Sequence, residues 1–312
     1  MSPTSKYGPD RDAHAMSVAL TARLSDNAEA RPLSPKQYWQ LVEASGGVPT
    51  GAGGLRDPQI RSLAQRTTQA ALHMSECEHQ SIVVLTPFHA SYPSALLARL
   101  GSQAPPLLYA AGDLGLLSHD AERLGVVGSR DASDEAMAAA RAAVEIAAQA
   151  GWQVISGGAK GVDAIALNAA VDIGAGAIAV LPEGVRRAAR KPGLRRILRS
   201  PGVLVLSMVH PDAAFSVGTA MARNKLIYAL AKRTLVVAAS EGSGGTWSGA
   251  TEALRRGYGE VVALLDSTDL PVGPLAKEGA HTLQDIAGLV ATSTQGGSGD
   301  ESAIGPHQPQ LF

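Results

Sequence analysis

The chain is short of several things that would define a function outright. It has one cysteine, Cys77, in 312 residues. That excludes an intrachain disulfide framework or a cysteine-based zinc site, and Cys77 reads as a buried, inert thiol. None of the eight histidines stands in an HxH or HExxH spacing, so no metal site is expected. No run approaches 18 uninterrupted apolar residues, so no membrane span is expected. The opening "MSPTSKYGPDRDAHAMS" lacks the basic start and apolar run of a secretory leader, and the cytoplasm is the default location. Neither GxxxxGK[ST] nor a complete GxGxxG followed by an acid after the second strand occurs. An NTPase or NAD enzyme is therefore unsupported. Nothing resembles paired carboxylates or a Ser-His-Asp set, so no catalytic residue and no cofactor are expected.

What is present is an apolar content of 45% with 18% charged residues and only 4% aromatics, the composition of a soluble globular chain rich in Ala and Gly. The net charge of −1 hides an asymmetry. Residues 121–260 hold 17 Lys and Arg against 12 Asp and Glu, whereas the flanks hold 10 against 16. A basic centre between acidic flanks favours an anionic partner.

Residues 1–32 are polar and read as a flexible N-terminus. "SPKQYWQLVEASGG" (34–47) has a Ser cap, a Pro, helical apolar spacing and a Gly-Gly stop, and "DPQIRSLAQRTTQAALHM" (57–74) repeats that logic. A small helical region over 33–80 follows. "SIVVLTP" (81–87) reads as a buried strand. From 124 onward strand-like runs at 124–128, 152–156, 177–181, 203–207, 234–239 and 261–265 alternate with helical patterns at 134–150, 161–173, 219–231 and 246–257. Short β-branched runs separated by helices predict βαβ units and a doubly wound, mostly parallel sheet over 81–286. The Gly/Ser-rich tail 287–312 is expected to be disordered.

Ligands of such sheets bind at the carboxyl ends of the strands. Those ends carry Gly128-Ser129-Arg130, Gly157-Gly158-Ala159-Lys160-Gly161, Arg223-Asn224-Lys225 and Ser243-Gly244-Gly245-Thr246. Glycines admit close backbone N–H groups, helix N-termini add partial positive charge, and Arg130, Lys160, Arg223 and Lys225 add full charges. Each loop supplies what an anion needs, and four of them share one edge. Asp163 stands at a helix start, where a carboxylate complements the macrodipole; a capping role fits it better than catalysis.

"GVVGSRDAS", "VISGGAKGVDAIAL", "VLSMVHPDAAF", "ARNKLIYALAKRTLVVAAS" and "GSGGTWSGATEALRRG" occur in that order. Together with the lead-in 86–117, they resemble the DNA-processing protein family DprA (Smf) over about residues 81–266. The resemblance implies an extended Rossmann-like fold, a homodimer without catalysis, single-stranded DNA held in a basic pocket, and transfer of that DNA to RecA. Residue by residue it assigns DNA binding to Ser129, Arg130, Gly158, Lys160, Arg223, Asn224, Lys225, Ser243 and Gly244. The chain departs from the family pattern in three ways. Leu167 replaces a His after Ala166, "RRAARKPGLRRILR" (186–199) replaces a Tyr-Pro-x-x-Asn segment, and no winged-helix-like segment follows.

The run 186–199 holds seven basic residues and no acidic one. Its Leu194, Ile197 and Leu198 spacing predicts an apolar helix stripe that leaves Arg195, Arg196 and Arg199 outward as an extended DNA track. The terminal Gln308-Pro309-Gln310-Leu311-Phe312 resembles the short peptide by which bacterial repair proteins bind the sliding clamp, with Gln308, Leu311 and Phe312 as contacts. Two other functions stay open: a SLOG-type sensor of a nucleotide ligand in genome defence, and a nucleotide phosphoribohydrolase. The second needs a glutamate three residues after Gly-Thr, and here the next acid is Glu252, six after Thr246.

Overall fold

The computed structural model describes residues 10–24, 31–264, 272–283 and 286–290. The chain opens with α1 (Arg11–Thr21), α2 (Pro35–Ala44), α3 (Pro58–Ala64) and α4 (Thr67–His79), then β1 (Val83–Leu85), α5 (Ser94–Leu100) and β2 (Leu108–Gly112). The alternating part follows as β3 (Arg123–Val127), α6 (Asp134–Gln149), β4 (Gln153–Ser156), α7 (Val162–Asp172), β5 (Ala177–Leu181), α8 (Val185–Ala188), α9 (Pro192–Leu198) and β6 (Val203–Ser207). It closes with α10 (Val217–Leu230), β7 (Arg233–Val236), α11 (Gly244–Arg256), β8 (Glu260–Leu264), α12 (Val272–Lys277) and β9 (His281–Leu283).

The strands form one nine-stranded sheet in the order β1-β2-β6-β5-β4-β3-β7-β8-β9. From β6 to β9 every pairing is parallel; β2 pairs antiparallel with both β1 and β6. This is the doubly wound, mostly parallel α/β sheet that the alternation predicts. Its central strands are buried along almost their whole length because both faces are covered. Against one face pack α4, α6, α7 and α9, and against the other α5, α10, α11 and α12. Cys77 lies buried in the first layer, where burial pushes its thiol up to about 11.

The order of strands sets the site. From β3 the chain winds outward through β4, β5 and β6, then returns to lay β7 on the other side of β3. Helices therefore leave β3 and β7 in opposite directions, and a crevice opens at their carboxyl ends.

Three expectations change. Residues 11–21 are helical rather than irregular. Asp10 caps α1 by accepting the N–H groups of Asp12 and Ala13. The helix wedges Val18 and Ala19 into the main core and Met16 and Leu20 into a small N-terminal core with Tyr38 and Leu63. The helix expected over 57–74 is broken between α3 and α4. There Arg66 turns its guanidinium onto the carbonyls of Ala19 and Ala22 at the end of α1, at 2.6 and 3.0 Å. The ordered core also runs past 286. Ile286–Val290 forms a 3₁₀ turn with Leu289 buried, its carbonyl accepting from Arg233 at 2.8 Å. The terminal Gln308, Leu311 and Phe312 lie outside the described residues.

Candidate functional site

After β3 the chain turns at Gly128-Ser129-Arg130, and Ser133 starts α6 by accepting the Ala136 N–H at 3.1 Å. After β4 it turns through Gly157–Gly161 into α7. Gly161 has φ +77°, and a Cβ on it would overlap the carbonyls of Ser129 and Arg130. Glycine there lets the two loops touch. After β7, Ser243 precedes α11, with Gly244 at φ +79°.

Two adjoining clefts occupy this edge. The first, about 450 Å³, lies at the β3–β7 crevice and is lined by Ser129, Arg130, Asn224, Ser243 and Gly244 among others. The second, about 560 Å³, lies between α7 and α9 and takes in Gly158 and Lys160. Arg130, Phe215 and Arg223 line both and form the ridge between them. Arg130, from the turn after β3, and Arg223, from α10, thus meet at one place.

Their roles differ. Arg130 and Lys160 are exposed and make no ion pair with another described residue. Arg223 is only 6% exposed. Its Nη2 stands 3.7 Å from Oδ2 of Asp163, also buried, and its guanidinium lies over Gly157. Asp163 further accepts the backbone N–H groups of Ala159 and Gly128. Its carboxylate therefore ties the two glycine turns to α10; this is a structural task, but not the expected cap, because α7 has no side-chain cap. Burial pushes the Asp163 carboxyl above its usual range, against the pull of Arg223 and of those N–H groups. Burial likewise lowers Arg223, against the pull of Asp163. Nε of Arg223 is buried with no hydrogen-bond partner among the described residues.

Asn224 donates to the Gly245 carbonyl at 3.1 Å, and Thr246 donates to the Gly128 carbonyl at 3.1 Å. These bonds fix the start of α11 against α10 and the end of β3. Neither α7 nor α11 has a side-chain cap; the Ser129 carbonyl accepts the Val162 N–H at 3.3 Å, and the other first-turn N–H groups of the two helices have no side-chain cap at the cleft edge.

Lys225 departs from the expectation. It lines neither cleft, and its Nζ donates to Gln103 at 3.5 Å. Burial lowers its pKa, opposed by Glu252. On α9, Leu194 and Ile197 are buried while Arg195, Arg196 and Arg199 are exposed, as the stripe predicts. Arg196 is bound to Asp172 and Asn168 on α7 at 3.2 and 2.6 Å.

The glycine-and-cation pattern does not reveal the apolar side of the site. Phe215, Val217 and Met221 border the first cleft while 45%, 71% and 40% exposed. Their signal was the apolar spacing just ahead of "ARNK". Glu183, buried and paired with Lys191 on the wall of the second cleft, also went unread.

A doubly wound sheet with a cleft at the topological switch, bordered by glycine turns and two helix N-termini without side-chain caps, defines a Rossmann-like protein with a candidate ligand cleft. Within that class the chain belongs to the DNA recombination-mediator protein A family, whose model matches residues 83–294. Protein Smf of Escherichia coli is 33% identical over 211 residues, covering 65% of this chain and 52% of that protein. The chain spans about half the length of that curated relative. DNA processing protein A (DprA) of Streptococcus pneumoniae shares the fold with a TM-score of 0.67 at 23% identity, over 88% of this chain and 95% of that one. DNA processing protein A of Helicobacter pylori, described for its single-stranded DNA binding mode, gives 0.54 at 23% identity, over 66% and 92%.

Proposed function

We propose that the protein binds single-stranded DNA at the β3–β7 crevice and acts in DNA processing or recombination. One juxtaposition carries this reading. Exposed Arg130 and Lys160 and two helix N-termini without side-chain caps share an edge with the exposed Phe215, Val217 and Met221. Cations and N–H groups suit phosphates, and apolar side chains suit unstacked bases, which a single strand offers and a duplex hides. The single-stranded DNA binding described for the Helicobacter pylori relative supports it. Self-association as a homodimer, delivery of the strand to RecA, the arginine track on α9 and the terminal clamp-binding peptide belong to the same proposal.

No catalytic step is assigned. Glu252, the next acid after Gly245-Thr246, accepts from Tyr258 at 3.2 Å and lines neither cleft. That favours binding over a phosphoribohydrolase reaction. Polarisation titrations of labelled single-stranded and duplex oligonucleotides across a salt series test the reading. Expected is preference for the single strand and a log–log salt slope steeper than about −1.4, the value for two neutralised phosphates. Equal affinity for the duplex, or no binding, overturns it.

A further inference from the structure

The second cleft has a character of its own. Its walls are Leu167 from α7, Leu181 at the end of β5 and Pro182 just after it, Leu194 and Ile197 from α9, and Phe215 from the ridge. This lining is mostly apolar, in a volume suited to a small molecule, with a few convergent polar groups. Those groups are specific. Glu183 is buried, its side chain 4% exposed, and its carboxylate holds Lys191. Together the two offer one acceptor and one donor to a planar heterocycle edge. On the ridge stands Arg223, its buried Nε without a hydrogen-bond partner among the described residues. Beyond it, Arg130 and Lys160 face solvent at the mouth. The backbone of the glycine turn at Gly157 and Gly158 completes that end.

We infer that the second cleft seats one nucleotide unit, its base between Phe215 and the α9 wall beside Glu183 and Lys191, and its phosphate at Arg130 and Lys160. The inference rests in part on the reading of the first cleft, because the ridge residues serve both. The α9 wall lies where the chain departs from the DprA pattern, in the basic run 186–199. The occupant is either a base splayed from the bound strand or a free mononucleotide. In the second case it would compete with the strand for Arg130.

Gly193 lines this cleft and has nothing within 4 Å of where a Cβ would stand. Gly193→Trp therefore adds bulk without a clash at its root. Ala164→Phe adds it from the opposite wall. Both variants are checked for an unchanged melting temperature, and the one that keeps it is read. The probes are AMP and inorganic phosphate by calorimetry, plus an oligonucleotide and a length-matched abasic strand by polarisation.

Suppose AMP binds the parent at least about tenfold tighter than phosphate, and the filled variants lose that margin with oligonucleotide affinity unchanged. The inference then stands, with a free nucleotide as occupant. Suppose instead that oligonucleotide affinity falls about tenfold in the filled variants while abasic-strand affinity holds. The inference stands, with a strand base as occupant. If AMP and phosphate bind alike and filling the cleft changes neither AMP nor oligonucleotide affinity, the inference is overturned. A parent protein that binds AMP but no oligonucleotide would overturn the reading of the first cleft and leave this one standing.

Discussion

Gly157 lies beneath the guanidinium of Arg223, and a Cβ on it would overlap that group. Arg223 cannot retreat cheaply, because it is buried and tied to Asp163. Gly157→Ala should therefore push the guanidinium off its seat and reshape the ridge between the clefts. Such overpacking costs about 1–3 kcal/mol. Urea denaturation should show that loss, and oligonucleotide affinity at fixed salt should fall with it. A variant of parental stability would mean that the arginine relocates freely and does not organise the ridge.

Asp163 and Arg223 form a buried pair whose breakage is expected to cost more than its replacement. Asp163→Asn leaves a buried guanidinium without its counter-charge, a loss of about 3–5 kcal/mol. Arg223→Met in that background removes the stranded charge and should recover part of the loss. Denaturation midpoints of both single variants and the double variant measure the coupling. Strict additivity would show that the two groups do not sense each other.

Much of this fold was legible because of where the strands sit. The central strands are covered on both faces, so they read as short, largely apolar runs. β2 was not read as a strand: "PPLLYAAG" opens on prolines, and β2 joins the sheet antiparallel, outside the βαβ rhythm. α1 was hidden by polar flanks; only its packing between two cores explains it. At the site, glycine and cation spacing located the loops but could not assign directions. Arg223, Asn224 and Lys225 are consecutive on a helix of 3.6 residues per turn, so they fan over about 200°. One goes inward to Asp163, one to the α11 loop and one away to Gln103. The apolar border of the first cleft gives no distinctive signal, because exposed Phe, Val and Met look like core residues in a sequence.

Lys160 is exposed at the mouth of the second cleft. Lys160→Ala should leave stability unchanged and weaken oligonucleotide binding. If its ammonium neutralises one phosphate, the single-strand salt slope becomes shallower by about 0.7. Titrations over a salt series would show it; parental affinity and slope would remove Lys160 from the interface.

The α9 arginines divide into two kinds. Arg196 is engaged with Asp172 and Asn168, so its reversal would disturb α7 as well. Arg195 and Arg199 are exposed and make no such bond with a described residue. The double reversal Arg195→Glu and Arg199→Glu isolates the track. Strands of about 40 nucleotides should lose more affinity than strands of about 10, since a short strand within a single site size fills the crevice alone. Equal losses at both lengths would place these arginines outside a track.

The N-terminal helix carries a pH dependence of its own through His14. His14 on α1 hydrogen-bonds Thr86 through Nδ1 at 2.7 Å, and its ring centroid lies 5.8 Å from that of His89. Burial, and then the proximity of His89, hold the His14 pKa down at about 4. Burial lowers His89 as well. The unfolded chain would bind a proton at His14 near pH 6.5, whereas the folded chain resists it down to about pH 4. Between those values the unfolded state holds more protons, so stability rises with pH. His14's contribution is complete above about pH 6.5 and lost as pH falls toward 4. Allowing for the partly exposed ring, the loss is about 2–3 kcal/mol. His14→Gln keeps a polar partner for Thr86 and removes the titration. Its denaturation free energy should fall less between pH 7 and pH 4 than the parent's. Parallel pH profiles for the two proteins would show that α1 docks independently of the charge on His14.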